Sequence, residues 1–181
     1  PNIVLSGGCF FNSILNGKIH DLKLFENISI SPFVGDAGGA VGAALYYIRN
    51  NENFKNVPLK TSYLGSSYSN EFIKSNVIEQ RDLDNSKSIN YQYFEDFSEL
   101  TSLISKKILE NNLVGWFQGK SEFGPRALGN RSLLGNPKNP QMKKIINEKI
   151  KKRENFRPFA PIILEEYYKD YFYQEFPSPF M

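Results

Sequence analysis

The chain has 181 residues, 40% of them apolar, 23% charged and 14% aromatic, with a net charge of +3. It can therefore bury a core, and it is neither a disulfide-stapled miniprotein nor disordered throughout. Its one cysteine, Cys9, and one histidine, His20, cannot complete a four-ligand zinc site, and such cysteine usage fits a cytosolic redox compartment. No run approaches the roughly 18 to 20 apolar residues that span a bilayer. The start, Pro1-Asn2-Ile3-Val4-Leu5, lacks the basic region and cleavage site of a signal peptide. Opening without Met and directly on a strand, it predicts a cut from a longer chain.

Residues 1–50 hold 7 of the 13 glycines and predict a strand over 3–6, a turn at Gly7-Gly8, a helix over about 9–17, a strand over about 26–32, a second glycine turn and a helix over about 37–49. This is α/β alternation. Residues 50–69 are Asn-, Ser- and Tyr-rich and read as a connector at a domain boundary. Beyond it a weak helix is expected over 69–80 and a strand over 88–94. Phe97, Leu100, Leu103, Ile104 and Ile108 recur at helical spacing over 97–110, and the apolar run 113–117 reads as a buried strand. Met142, Ile145, Ile146 and Ile150 share one face of a helix expected over 140–154, with Pro140 at its start. The tail 156–181 holds nine aromatics, which implies packing against another surface.

Charge is unevenly placed. Residues 115–160 hold 11 Lys and Arg against 3 Asp and Glu, a net +8, and the remainder is net −5. Such a segment attracts phosphate-bearing or other anionic ligands, although a solvated helix face is the commoner fate of lysine runs.

Four strings could carry chemistry. Leu5-Ser6-Gly7-Gly8-Cys9-Phe10-Phe11-Asn12 is a strand feeding a glycine turn and a helix N-terminus, which suits a phosphate or simply packs helix on strand. It is not a Walker loop, since Ile19 follows Gly17-Lys18. In Gly35-Asp36-Ala37-Gly38-Gly39-Ala40, Asp36 stands where a carboxylate binds a metal or caps a helix, with glycines allowing close approach. Gly119-Lys120-Ser121-Glu122-Phe123-Gly124-Pro125-Arg126-Ala127-Leu128-Gly129-Asn130-Arg131-Ser132 spaces three cations among glycines and hydroxyls, an anion cradle in composition. The alternative is a loop of surface arginines, but Glu122 is its one acid. Arg153-Glu154-Asn155-Phe156-Arg157-Pro158-Phe159-Ala160-Pro161 is a rigid mount for guanidinium groups, a nucleic-acid surface, or a helix end complementing its dipole.

Taken together, these four strings, with Asn16-Gly17, Gly42-Ala43-Ala44 and Gln118, resemble the ATP-dependent O-carbamoyltransferases. The resemblance runs in order along the chain and is weakest over 50–112. It implies the end of an actin-like ATPase domain followed by a YrdC-like (threonylcarbamoyl-AMP synthase-like) α/β domain. Residues 1–50 would be the C-terminal part of the carbamoyl-transferring actin-like domain and 51–68 a connector. Residues 69–181 would be the YrdC-like part, incomplete, which forms carbamoyl-adenylate from carbamoyl phosphate and ATP. By the same resemblance, Lys120, Arg126, Arg131, Ser132, Arg153 and Arg157 form the carbamoyl phosphate and ATP site. Gly7, Gly8, Asn12, Gly38 and Gly39 line a nucleotide cleft, and Asp36 is one ligand of an iron-type divalent metal. Two departures stand out: His20 lies in no motif that matches the family's metal-binding histidines, and Lys120 occupies a position where many relatives carry Arg. The chain is therefore not expected to transfer carbamoyl groups alone.

The implied protein is a cytoplasmic transferase acting on a hydroxyl of a small molecule, a sugar or natural product. It would have no membrane partner, with nucleic acid disfavoured and a homodimer compatible. Two rivals remain: a stand-alone module binding RNA or an anionic ligand through Lys143–Arg157 and nearby aromatics, and a non-catalytic assembly domain docking by its aromatic tail.

Overall fold

The computed structural model describes residues 1–51, 61–83, 90–173 and 178–181. It divides into two units, Pro1–Gly65 with Glu122–Leu128 and Ser178–Met181, and Ser66–Ser121 with Gly129–Pro177. The architecture is mixed α/β with two small sheets.

In the first unit, strand β1 (Asn2–Leu5) pairs in parallel with β2 (Asn27–Ile30), Asn2 opposite Asn27 and Leu5 opposite Ile30. A parallel pair needs a crossover, and it comprises a 3₁₀ turn over Gly8–Phe11 and helix α1 (Ser13–Asp21). The single helix expected over 9–17 is thus two pieces. Asn12 breaks it, with φ −81° and ψ 97°, and its Oδ1 accepts from the Ile14 and Leu15 N–H groups, an N-cap that starts α1 afresh. Helix α2 (Ala37–Asn51) matches the second predicted helix and runs two residues longer. Leu5, Phe33 and Val34 are buried here, and the Gly7 N–H donates to the Val34 carbonyl at 2.6 Å.

In the second unit, α3 (Asn70–Leu83) and α4 (Phe97–Leu109) follow the predicted helices. Of the strand expected over 88–94, residues 88 and 89 lie outside the described residues, while 90–94 form no strand. Alternation of Ile89, Tyr91 and Tyr93 supplied the pattern, yet no neighbouring strand pairs with the described part. The stop is set by Asp96, whose Oδ1 accepts from the Ser98 N–H at 2.7 Å to cap α4. Strand β3 (Val114–Phe117) pairs antiparallel with β4 (Arg131–Leu134), Val114 opposite Leu134 and Phe117 opposite Arg131. Nothing in the sequence reading anticipated β4.

The helix expected over 140–154 is also corrected. Helix α5 spans only Met142–Ile145 and opens into a π-turn over Ile146–Lys151, and Lys152 is left-handed at φ 45°. A π-turn admits one residue more than an α-turn. Met142 and Ile146 remain its buried apolar face, but Asn147 is buried beside them. The aromatic tail carries a 3₁₀ turn over Glu165–Tyr167 and α6 (Tyr168–Tyr171), with no residue of either fully buried.

A Cβ on Gly38 would lie 2.0 Å from the Phe33 carbonyl oxygen, whereas Gly39 faces open space. Gly38→Ala should therefore cost at least about 2 kcal/mol by overpacking, while Gly39→Ala should stabilise by up to about 1 kcal/mol through helix propensity, both read by urea denaturation. The Ser98 hydroxyl, then its N–H, hold the Asp96 carboxyl below the usual aspartate range. Such a group stabilises fully above its unfolded value of about 3.9 and loses that contribution as pH falls through the lower folded value. Melting temperature should therefore decline in acid more steeply for the wild type than for Asp96→Ala. Parallel acid limbs would refute the cap.

Candidate anion-binding site

The long basic string is the connection between β3 and β4. Its base is built by Arg131, which stands opposite Phe117 in the ladder and lays its guanidinium over the Phe117 ring, 3.5 Å from the centroid. One terminal nitrogen donates to the carbonyls of Gln118 (2.7 Å) and Asn130 (2.8 Å), the other to those of Gly119 (3.1 Å) and Ser66 (3.2 Å). Stacking on an aromatic face and a donor fork suit guanidinium and not ammonium. Around it the Gln118 amide donates to Asn130 Oδ1, and Asn130 Nδ2 donates to the Lys120 carbonyl. Ser132 Oγ accepts from the Gly129 N–H at 3.0 Å. Both Arg131 and Ser132 thus make hydrogen bonds that shape the loop.

Lys120 belongs to the same unit, exposed, and among the described residues its ammonium has no ion pair. Arg126 belongs to the first unit. There its guanidinium donates to the Phe11 carbonyl and lies 5.8 Å from the Phe11 ring centroid. Glu122, the loop's acid, accepts from the Leu128 N–H at 2.7 Å. Gly124 at φ 113° sits against Phe33, whose ring meets Phe123 edge-on at 4.9 Å. The three cations of the loop are therefore differently occupied.

The two glycine strings meet in the first unit. A Cβ on Gly35 would lie 2.7 Å from the Phe11 ring, which would have to shift, whereas one on Gly38 would meet the fixed Phe33 carbonyl. Gly7, at φ 107°, Gly8 and Gly39 face open space and leave room for a ligand to approach the backbone. Asn12 caps α1. Asp36 is exposed, and among the described residues no three His, Cys, Asp or Glu side chains gather as metal ligands. One carboxylate does not hold a transition metal well, so the donors present do not fit the metal that the resemblance implies.

The second cation cluster lies after the π-turn. Arg153 donates through Nε to Asn147 Oδ1 at 2.8 Å and backs onto the Phe159 ring at 5.0 Å. Arg157, half exposed, pairs with Glu154 at 2.8 Å. The Glu154 carboxyl is held below the usual range, chiefly by its own backbone N–H and next by Arg157. Asn147 was missed in the sequence reading; its signal was an amide between Ile146 and the lysines of an otherwise amphipathic stretch.

The chain matches two family models, Carbamoyltransferase N-terminus over residues 1–45 and Carbamoyltransferase C-terminus over 105–181. It is 42% identical over 189 residues to an uncharacterized protein of Synechocystis sp., covering 99% of this chain and 29% of that protein. Two Sinorhizobium fredii proteins follow: Nodulation protein NolNO at 38% identity, with 96% of this chain and 25% of the relative covered, and Nodulation protein U at 36%, with 99% and 29%. The chain spans less than a third of the length of these relatives. Among the described residues no helix is long and apolar enough to cross a membrane.

Arg131→Ala should lower stability by about 2 to 4 kcal/mol, since several carbonyls lose donors and the Phe117 ring loses its cover. Arg131→Lys should recover less than half of this, because an ammonium cannot supply the planar fork. Urea unfolding of both variants tests the assignment, and full rescue by Lys would refute it.

Proposed function

The chain belongs to the carbamoyltransferase family, and from that premise we propose that it supplies part of a site where carbamoyl phosphate and ATP are converted to carbamoyl-adenylate. Forming the adenylate releases inorganic phosphate from carbamoyl phosphate, with uptake of one water, and pyrophosphate from ATP. The carbamoyl group then passes to a hydroxyl of a small molecule, a sugar or a natural product, as the hydroxyl oxygen attacks the carbonyl carbon, AMP leaves and the hydroxyl proton is released to solvent. In this reading residues 1–50 end an actin-like domain that carries out the transfer, and 69–181 begin a YrdC-like domain that forms the adenylate in the cytoplasm. Within the first unit, Gly7, Gly8 and Gly39 offer their open faces to a nucleotide. No step is assigned to a metal.

The observation that carries the reading is the state of Arg153. Its Nε and one face of its guanidinium are engaged, while its two terminal amino groups make no hydrogen bond or ion pair among the described residues, the Glu154 carboxylate acting on it only through its field. An arginine fork held in this way matches two oxygens of a phosphate. It lies in the net +8 segment, which offsets the repulsion between carbamoyl phosphate and ATP and stabilises charge on departing phosphate. Lys120 adds a point charge, and Arg157 adds a second guanidinium once Glu154 yields it. Arg126, Arg131 and Ser132 serve by shaping the loop.

In the full chain, labelled pyrophosphate should exchange into ATP only when carbamoyl phosphate is present. Lys120→Ala and Arg153→Ala should each slow that exchange about 10- to 100-fold, the equivalent of a charge-assisted hydrogen bond of about 1.5 to 3 kcal/mol. Exchange without carbamoyl phosphate, or no binding of either ligand by folded protein, would remove the proposal. Steeply salt-dependent RNA binding in its place would favour a nucleic-acid module.

A further inference from the structure

Asn147 is fully buried, at 0% exposure, between the apolar Ile146 and the turn that follows. A buried amide must find partners, and an apolar side chain of similar volume would need none. Among the described residues, the polar contacts of its side chain are all directed to a short stretch of chain. Nδ2 donates to the carbonyls of Arg157 at 3.1 Å and Asn155 at 3.5 Å, and Oδ1 accepts from Arg153 Nε at 2.8 Å. Its own carbonyl accepts from the Arg153 N–H at 3.0 Å. The left-handed Lys152 returns the chain so that these bonds can close.

The consequence for Arg153 is specific. With Nε held by Asn147 and one face backed by Phe159, the guanidinium plane is fixed and its Nη1–Nη2 edge is directed away from the amide. We infer that Asn147 is a positioning residue that sets the Arg153 guanidinium as a preorganised fork for one phosphate-type oxyanion. The inference rests on the proposed function for the identity of that anion. Preorganisation of this kind lowers the ordering cost of binding without a contact to the ligand. Asn147 also holds residues 155 and 157 through their carbonyls, so the backbone that bears Arg157 is set by the same side chain.

The test is a double-mutant cycle in the full chain, with calorimetric titration of carbamoyl phosphate and of inorganic phosphate into wild type, Asn147→Leu, Arg153→Ala and the double variant. The expected result is an Asn147→Leu protein with unchanged circular dichroism and about tenfold weaker binding, and a double variant that binds no more weakly than Arg153→Ala alone. Unchanged affinity in Asn147→Leu beside a loss in Arg153→Ala overturns the positioning role and leaves the anion reading intact. Additive losses also overturn it, because they make Asn147 a general structural residue. Wild-type binding of both probes by Arg153→Ala overturns both. Should Asn147→Leu fail to fold, arginine-selective ¹⁵N spectra of the wild type decide. The Arg153 Nε–H, identified by its absence in Arg153→Lys, should exchange slowly while phosphate shifts the Nη signals. An Nε–H that exchanges as fast as exposed arginines overturns the inference.

Discussion

Backbone carbonyls that no ladder or helix satisfies are the constraint on which both units depend. A side-chain donor to such a carbonyl adds about 0.5 to 1.5 kcal/mol, and more where water is kept from it, and this chain supplies several. Asn16 donates to the Phe10 carbonyl and Arg126 to that of Phe11, so the 3₁₀ turn after the first glycines is held from outside itself. Arg131 serves four carbonyls around its loop, and Asn147 serves two beyond the π-turn. Asn112 does the same for Lys107 at the end of α4. Amide and guanidinium groups act here as extensions of the backbone.

This division of labour sorts the cations. A guanidinium has five donors in a fixed plane, enough to satisfy several carbonyls at once, and Arg131 uses them so. Lysine is a poor tool for that task, which leaves Lys120 with its charge turned to solvent. Arg153 is intermediate: one nitrogen is given to structure and two are kept. The positive segment is thus a scaffold of arginine in which a smaller number of cations remain open to a ligand.

The sequence made part of this legible. Periodicity placed α2, α3 and α4 because each has an apolar stripe or a cap at the expected spacing, and the pattern at 113–117 located β3 but not its burial, since no residue of β3 is buried and Phe117 is exposed beneath Arg131. It missed β4, since Arg131 and Ser132 make Arg-Ser-Leu-Leu look like the end of a polar loop; the Phe117 opposite is what turns Arg131 into a strand residue. It also read one helix over 140–154, since helical period gives no sign that a turn has widened by one residue. For the candidate site, composition picked out the strings but not the partners. That Arg126 meets Phe11, more than a hundred residues away in sequence, has no local signature. Gly38 and Gly39 are adjacent and identical in type, yet one is forced by a carbonyl oxygen and the other is free.

The π-turn at Ile146–Lys151 carries a consequence for how this stretch can vary in length. Each residue of a regular helix turns the chain by about 100°, so removing one residue there would restore an ordinary α-helical turn and rotate everything after it by roughly that angle. Asn147 would then face its partners with the wrong side, and the guanidinium of Arg153 would leave the ring of Phe159. Insertions and deletions should therefore not be tolerated between Met142 and Pro161. In the span between, spacing is as much a part of the chemistry as the residues themselves.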